Sequence, residues 1–433
     1  MTDLELFARG RLSDVGATVF AALMNRTPSD NPDLVDSVAS ILTEVRNRGD
    51  QALLKMAERF DEVVLTELEV PSDAWEKAND ALDPLVRKAL QRAARNIRAF
   101  HEIQVPGDVS LDVEPGVRIT RSWAPLRRIG VYAPGGRAAY PSSVLMGVVP
   151  AKAAGVDDVL VCSPPGPSGY PPDEVLAACA VAGADRLFAI GGAGAVAALT
   201  YGTQTIPRVD AVFGPGNRWV TEAKRQVAGQ VVIDSPAGPS EVLVLADEQS
   251  DPQLVAHELM AQAEHDPDAA CVLVTTSEQL ATNVEGALVD QLQSAPRAEI
   301  CVQAFRSAGA ILTADSLEEA IGFTRSYAPE HLSIMTADAA ADAKRVGTAG
   351  TIFVGAAASV AFGDYLTGAN HVLPTAGRSR SFSGLSTLHY LRSFTIQEIE
   401  ATGADAMADD VAVLARAEGL QAHGEAALAR RLS

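Results

Sequence analysis

The stretch Arg128-Ile129-Gly130-Val131-Tyr132-Ala133-Pro134-Gly135-Gly136 decides the fold. A short, mostly apolar run ends on a proline–glycine turn, and a helical pattern follows over Ser143–Ala154. The same unit then repeats. A strand at Val159–Cys162 is closed by Pro164-Pro165-Gly166, and a helix follows at Glu174–Ala182. Strand Arg186–Ile190, helix Gly194–Tyr201, strand Val209–Phe213, helix Asn217–Val227 and strand Val231–Asp234 come next. Strands alternating with helices across short connectors imply a parallel sheet covered on both faces.

Working outward, the alternation resumes downstream. Strands are expected at Val242–Ala246, Cys271–Thr275, Ile300–Val302, Ala310–Leu312, Leu332–Met335 and Thr351–Val354. Helices are expected from Asp251-Pro252 to Asp266-Pro267, from Ser277, and near Leu317–Ser326, giving a second α/β unit. Upstream, Asp33 to Phe100 reads as helix, with Val35, Val38, Ile41, Leu42 and Val45 at helical spacing and a second helix starting at Asp83-Pro84. A short strand at Val113–Thr120 separates this part from the opening stretch. Gly377–Gly384 reads as a linker, and Ile396–Ser433 as an Ala-rich, mostly helical tail. That tail is too short to build its own core, so it is expected to pack on something else, such as a second subunit.

Composition narrows the classes. At 433 residues, 47% hydrophobic and 21% charged, the chain has the make-up of a globular protein of two or more domains. A net charge of −20 argues against general nucleic-acid binding, which needs a basic face. Cys162, Cys179, Cys271 and Cys301 show no paired spacing and are expected to be free, buried thiols. The start of the chain lacks a signal-peptide build, and no apolar run reaches the ~18 residues of a membrane helix. A cytoplasmic protein without membrane partners is the expectation.

The chemistry centres on Tyr327-Ala328-Pro329-Glu330-His331, which sets a carboxylate beside an imidazole in a chain with only 7 His. Gln262 and His265, three apart in the last turn of a helix, share a face and could bind a metal, or simply form a polar helix end. His257, two turns earlier, reads as structural. Gly363-Asp364-Tyr365 and Asn370-His371 occupy an irregular stretch where Asp364 could complete a metal site or make a local turn. On an unbroken helix Glu418 and His423 would stand ~140° apart, so they share a face only if Gly419 bends the chain. Gly192-Ala193-Gly194-Ala195-Val196-Ala197 fits a dinucleotide-binding turn, with Asp210 as a ribose-binding candidate. Gly214-Pro215-Gly216-Asn217 is a second turn at a helix N-terminus suited to a phosphate.

Several strings together resemble the histidinol dehydrogenase family: Gly130–Gly136, Tyr140-Pro141-Ser142-Ser143-Val144-Leu145-Met146, Phe213–Asn217, Pro236-Ala237-Gly238-Pro239-Ser240-Glu241, Gln262–His265, Ala328–His331, Gly363–Tyr365 and Asn370–Thr375. The resemblance implies an α/β fold of two incomplete Rossmann-like parallel-sheet domains. Residues 26–127 with 240–378 would form the first, carrying zinc and catalysis, and 128–239 the second, contacting NAD. Residues 1–25 would be a helical segment, and 379–433 a helical tail crossing to the partner in a homodimer with shared active sites.

It also implies a zinc-dependent oxidation of L-histidinol, through L-histidinaldehyde, to L-histidine, reducing two NAD at the end of histidine biosynthesis. Gln262, His265, Asp364 and His423 would be the zinc ligands, with one zinc per subunit. His331 would be the general base, and Glu330 would activate water. Ser240, His371 and Glu418 would join the four zinc ligands and His331 in contacting substrate. Tyr132, Asn217 and Gly194 would contact NAD. The family carries Gln at the position of Gly194, so any contact there falls to the backbone. Two further departures stand near these motifs: Gly355–Ser359 lacks the family's polar and proline residues, and Ser235 replaces a methionine. A related dehydrogenase acting on another alcohol, such as a sulfonated diol, is the alternative. A non-catalytic zinc- or nucleotide-binding protein and a zinc hydrolase are readings of other classes.

Overall fold

The computed structural model describes residues 4–26, 31–135, 139–235 and 238–431. Gly136 of the opening turn and Pro236-Ala237 lie outside the described residues. Three sheets organise the described residues. The five-stranded parallel sheet takes its strands from Arg186–Ala189, Asp158–Ser163, Arg128–Tyr132, Ala211–Phe213 and Val232–Ile233, in that spatial order. These strands are nearly all apolar because both faces are covered by helices. On one face, Val131, Val159, Val161 and Leu187 pack with the helices Pro141–Ala153 and Asp173–Ala182. On the other, Tyr132, Leu160, Phe188 and Val212 pack with Gly192–Tyr201 and Arg218–Val227.

The six-stranded parallel sheet runs Ala8–Arg11, Gly309–Thr313, Ala270–Thr275, Glu241–Ala246, His331–Met335 and Thr351–Val354. Here the expectation for residues 1–25 is corrected. The segment holds the helix Ala17–Met24, but Ala8–Arg11 is a strand that closes the sheet edge by pairing with Ala310–Thr313. Ile300–Val302 is likewise not a strand. It lies in the helix Ala298–Ala308, whose Cys301, Ala304 and Phe305 share one buried face.

The domain boundary is also corrected. The helices within 32–102 do not join the six-stranded sheet. Val38, Leu42 and Val45 pack into the core containing Tyr132 and Leu160, and Trp75, Leu90 and Ile97 into the core containing Val131 and Val161. Their apolar stripes cover the five-stranded sheet's own helices. The third sheet is antiparallel: Val109–Glu114 and Val117–Pro125 form a hairpin, and Leu391–Ile399 pairs along the whole of the second strand. The tail from 379 is therefore not purely helical; a nine-residue strand precedes its two helices, Ala401–Ala417 and Gln421–Leu428.

Candidate active site

The chemistry gathers at the amino ends of two neighbouring strands, Glu241–Ala246 and His331–Met335. The chain enters the second strand through Ala328, which caps the preceding helix with a left-handed φ of 50°, and through Pro329. Glu330 and His331 are both buried. His331 Nδ1 lies 3.0 Å from the Glu241 carbonyl oxygen, so this nitrogen carries a proton and donates it. Glu330 Oε2 accepts the Glu241 N–H at 2.7 Å and stands 3.5 Å from His331 Nδ1. The other imidazole nitrogen, Nε2, is buried without a hydrogen-bond partner, 3.6 Å from Asp364 Oδ1.

Burial opposes charge on His331, but Glu330 and Asp364 outweigh it and hold the imidazole up to about 10. Burial pushes the Glu330 carboxyl up. The couple therefore keeps a proton through neutral pH. Burial also works against the Asp364 carboxylate, yet the His331 contact, with His371 and His265 nearby, holds it below the ordinary carboxylate range.

Asp364 rides on the short helix Val360–Tyr365. That helix lies tight against the six-stranded sheet because Gly363 has no side chain; a Cβ there would stand 2.5 Å from the Phe353 ring. Its first N–H, from Val360, is accepted at 3.0 Å by the buried Glu258. Glu258 sits one turn before Gln262 on the helix Pro252–Ala263, so one helix carries both a metal-ligand candidate and the brace for another. Gln262 is 1% exposed, and neither its Oε1 nor its Nε2 has a partner. His265 follows just beyond that helix. His371 Nδ1 donates to the Asp364 carbonyl at 3.0 Å, and burial pushes its pKa down, leaving Nε2 as a neutral acceptor. Asn370 Nδ2 donates to the Met146 carbonyl at 2.8 Å, tying this segment to the five-stranded sheet's domain. Ser240 is part-buried, immediately before Glu241.

The structure thus brings together Glu330, His331, Asp364 and His371, with His265 near enough to act on Asp364 and Gln262 one turn beyond Glu258 on the helix that braces it. It does not bring Glu418 or His423 to them within one chain: both are exposed, Glu418 in the turn after the helix Ala401–Ala417 and His423 on the helix Gln421–Leu428. Among the described residues of one chain, no three His, Cys, Asp or Glu side chains are grouped to hold a metal ion. What one chain supplies is an amide, an imidazole and a carboxylate. A buried amide with both polar atoms unpaired is an incomplete bonding arrangement, and a metal ion beside Oε1 would satisfy the oxygen. The residues present fit a metal on that ground. We expect Glu258→Ala to weaken zinc affinity about 10- to 100-fold by freeing the Asp364 helix; a chelator competition showing unchanged affinity would refute the bracing role.

The cofactor candidates lie at the carboxyl ends of the five-stranded sheet. Tyr132 is buried there, its hydroxyl accepting the Gly192 N–H at 3.2 Å, and burial pushes its pKa up to about 12. Asn217 caps the helix Arg218–Val227, with Oδ1 accepting from Trp219 N and Val220 N. Gly214, at φ 115°, lets this turn pass the Tyr132 carbonyl, which a Cβ would meet at 2.2 Å. Gly194 is placed differently from expectation. It is buried inside its helix against Met56 and Leu53, with a Cβ position 3.2 Å from the Met56 sulfur, so that direction is already filled. Asp210 is also corrected. Its carboxylate accepts the Arg128 N–H at 3.3 Å, at the amino ends of the strands and thus opposite the helix N-termini. An acid missed in the sequence does lie near Tyr132: Asp61, whose carboxyl burial pushes up to about 6.

Two parallel sheets covered by helices, with a buried carboxylate–imidazole couple at the strand ends of one of them, define an α/β protein equipped for proton transfer. The comparisons with known proteins are specific. The histidinol dehydrogenase family profile matches residues 24–431. A histidinol dehydrogenase of Methanosarcina mazei is 46% identical over 97% of both chains, and one of Thermobifida fusca 45% identical over 94% of both. The crystal structure of a histidinol dehydrogenase from Elizabethkingia anophelis superposes with a TM-score of 0.93, at 34% identity and 98% coverage of each chain. The chain belongs to the histidinol dehydrogenase family, whose members are NAD-dependent oxidoreductases.

Proposed function

We propose that this enzyme oxidises L-histidinol to L-histidine through L-histidinaldehyde, with two NAD reduced in turn, as the closing steps of histidine biosynthesis. The observation that carries the reading is the His331 imidazole, fixed by its Nδ1 bond to Glu241 with Nε2 buried, unpaired and beside Asp364. A base at an alcohol needs such a free nitrogen, and the family's reaction needs such a base.

His331 Nε2 takes the hydroxyl proton of histidinol. Glu330 then takes a proton from water attacking the aldehyde carbon while protonated His331 returns its proton to the carbonyl oxygen, which gives the hydrate and frees His331 to serve again as the hydrate is oxidised. NAD, when bound, accepts the hydride in each oxidation. Tyr132 and Asn217, at the carboxyl ends of the five-stranded sheet, would hold it, with residues 128–239 as the cofactor side and 240–378 as the catalytic side. Gln262, His265 and Asp364, with the partner's His423, would hold one zinc per subunit, which when bound anchors the substrate's imidazole and amine. Ser240, His371 and Glu418 complete the substrate contacts.

The reading includes a homodimer with exchanged tails. Its support is that Leu111, Phe394, Ile396, Val413 and Leu414, on the hairpin and tail, are exposed in the single chain, as a face covered in an assembly would be. Among the described residues no helix is long and apolar enough to cross a membrane. Purified protein supplied with zinc and NAD should yield two NADH and one histidine per histidinol. A ratio of one, or no NADH at mildly alkaline pH, would overturn the reading.

A further inference from the structure

We infer that Arg26 and Glu241 form a positioning clamp that sets the geometry of the Glu330–His331 couple. The inference rests on the reading of that couple as the acid–base pair.

Residue 241 touches both members of the couple through its backbone: its N–H is held by Glu330, and its carbonyl holds His331. What fixes residue 241 is its own side chain. Glu241 Oε1 accepts from Arg26 Nε at 2.9 Å and from the Ala376 N–H at 2.6 Å, and Oε2 accepts from Arg26 Nη2 at 3.1 Å. The fork is planar and two-pronged, so it sets direction as well as distance.

Arg26 also holds the other side of the couple. Its Nη2 donates to the Tyr327 carbonyl at 2.8 Å, and its guanidinium lies over the Tyr327 ring, 3.5 Å from the centroid. Tyr327 is three residues before Glu330, across the left-handed Ala328 and Pro329. One guanidinium therefore ties the start of the strand that receives the couple to the loop that delivers it. A further bond, from Nη1 to the Leu23 carbonyl at 2.7 Å, anchors Arg26 to the helix Ala17–Met24.

The pair is almost fully buried, with side-chain exposures of 9% and 2%. Desolvation cancels most of the attraction of such a pair, so it is a poor source of stability. Its two-pronged geometry is suited instead to selecting one arrangement of the loop. Neither side chain belongs to the expected ligand, base or cofactor set, and Arg26 stands apart from every motif in the sequence.

The test compares the zinc-loaded wild type with Arg26→Lys and with the double variant Arg26→Met/Glu241→Gln, which leaves no orphaned charge. Turnover, KM for histidinol and NAD, zinc content and the thermal midpoint are measured. The ¹⁵N-imidazole resonance of His331 is followed without substrate. We expect the double variant to lose about 10- to 100-fold in kcat, the worth of a small misplacement of catalytic groups, with KM and zinc content unchanged. Its His331 Nδ1–H should exchange faster, and Arg26→Lys should fall between, keeping the charge without the fork.

Wild-type kcat with an unchanged resonance overturns the clamp. So does a loss confined to KM or zinc content. If the double variant fails to fold, Arg26→Lys decides: lower kcat at unchanged KM and thermal midpoint supports the clamp, and unchanged kcat refutes it. A wild type inactive on histidinol would sink the functional reading alone, because the substrate-free resonance still decides the clamp.

Discussion

Replacing His331 by Asn lowers turnover by about 10²- to 10⁴-fold, the usual worth of a general base, while zinc content and KM for histidinol stay near wild type. The asparagine amide can reproduce the donation to the Glu241 carbonyl, so the strand start keeps its bond. It has no basic nitrogen at the position of Nε2, the atom that faces Asp364. The pH profile supplies a second sign. Glu330 and Asp364, working against burial, hold His331 up to about 10, so the base is protonated at neutral pH and activity rises as pH increases. Zinc on Asp364 would take one carboxylate out of that balance and move the limb to lower pH in the loaded enzyme.

The same shift affects stability. A His pKa raised in the folded state contributes stability that is complete below its unfolded value of about 6.5 and is lost as pH climbs through about 10. Zinc-free wild type should therefore lose thermal midpoint between pH 7 and 10, and His331→Asn should lose less. A variant retaining near-normal turnover, with the same alkaline limb, would remove His331 from the chemistry.

The legible parts of this chain are those where one residue type does one job. Strands such as Val242–Ala246, apolar at every position, announce a sheet covered on both faces, and Glu330-His331 announces an acid–base pair by adjacency. Leu391–Ile399 was hidden because nearly all of it is exposed in the single chain, leaving no periodicity against a core. The helices over 32–102 were legible as amphipathic, but an apolar stripe does not name the surface it will cover. The same limit explains the acids. Counting along the chain from the glycine string selects Asp210, at the wrong end of the sheet, whereas Asp61 reaches the vicinity of Tyr132 only through tertiary packing. Glu241 touches the couple through backbone atoms that every residue possesses, and its side chain is fixed by Arg26, 215 positions away, so no local pattern signals the role. The brace from Glu258 to the Asp364 helix crosses 102 positions, beyond the reach of any local pattern.

Mixing two inactive variants should restore activity. His423→Asn removes the tail's imidazole, and His331→Asn removes the base; each homodimer is expected to be nearly dead. His423 is exposed on a helix whose own chain offers it no place beside Gln262, His265 and Asp364. If the tail serves the neighbouring subunit, a mixed dimer has one site with a wild-type core and a wild-type tail, and one site lacking both groups. Random exchange makes half the dimers mixed, so about a quarter of wild-type activity returns, as two-fold symmetry requires. If each tail serves its own core, every site in every dimer lacks one group, and mixing restores nothing. A mixture as inactive as its components, with subunit exchange verified by mass, would confine the tail to its own chain and leave the metal site one ligand short of the set proposed for it.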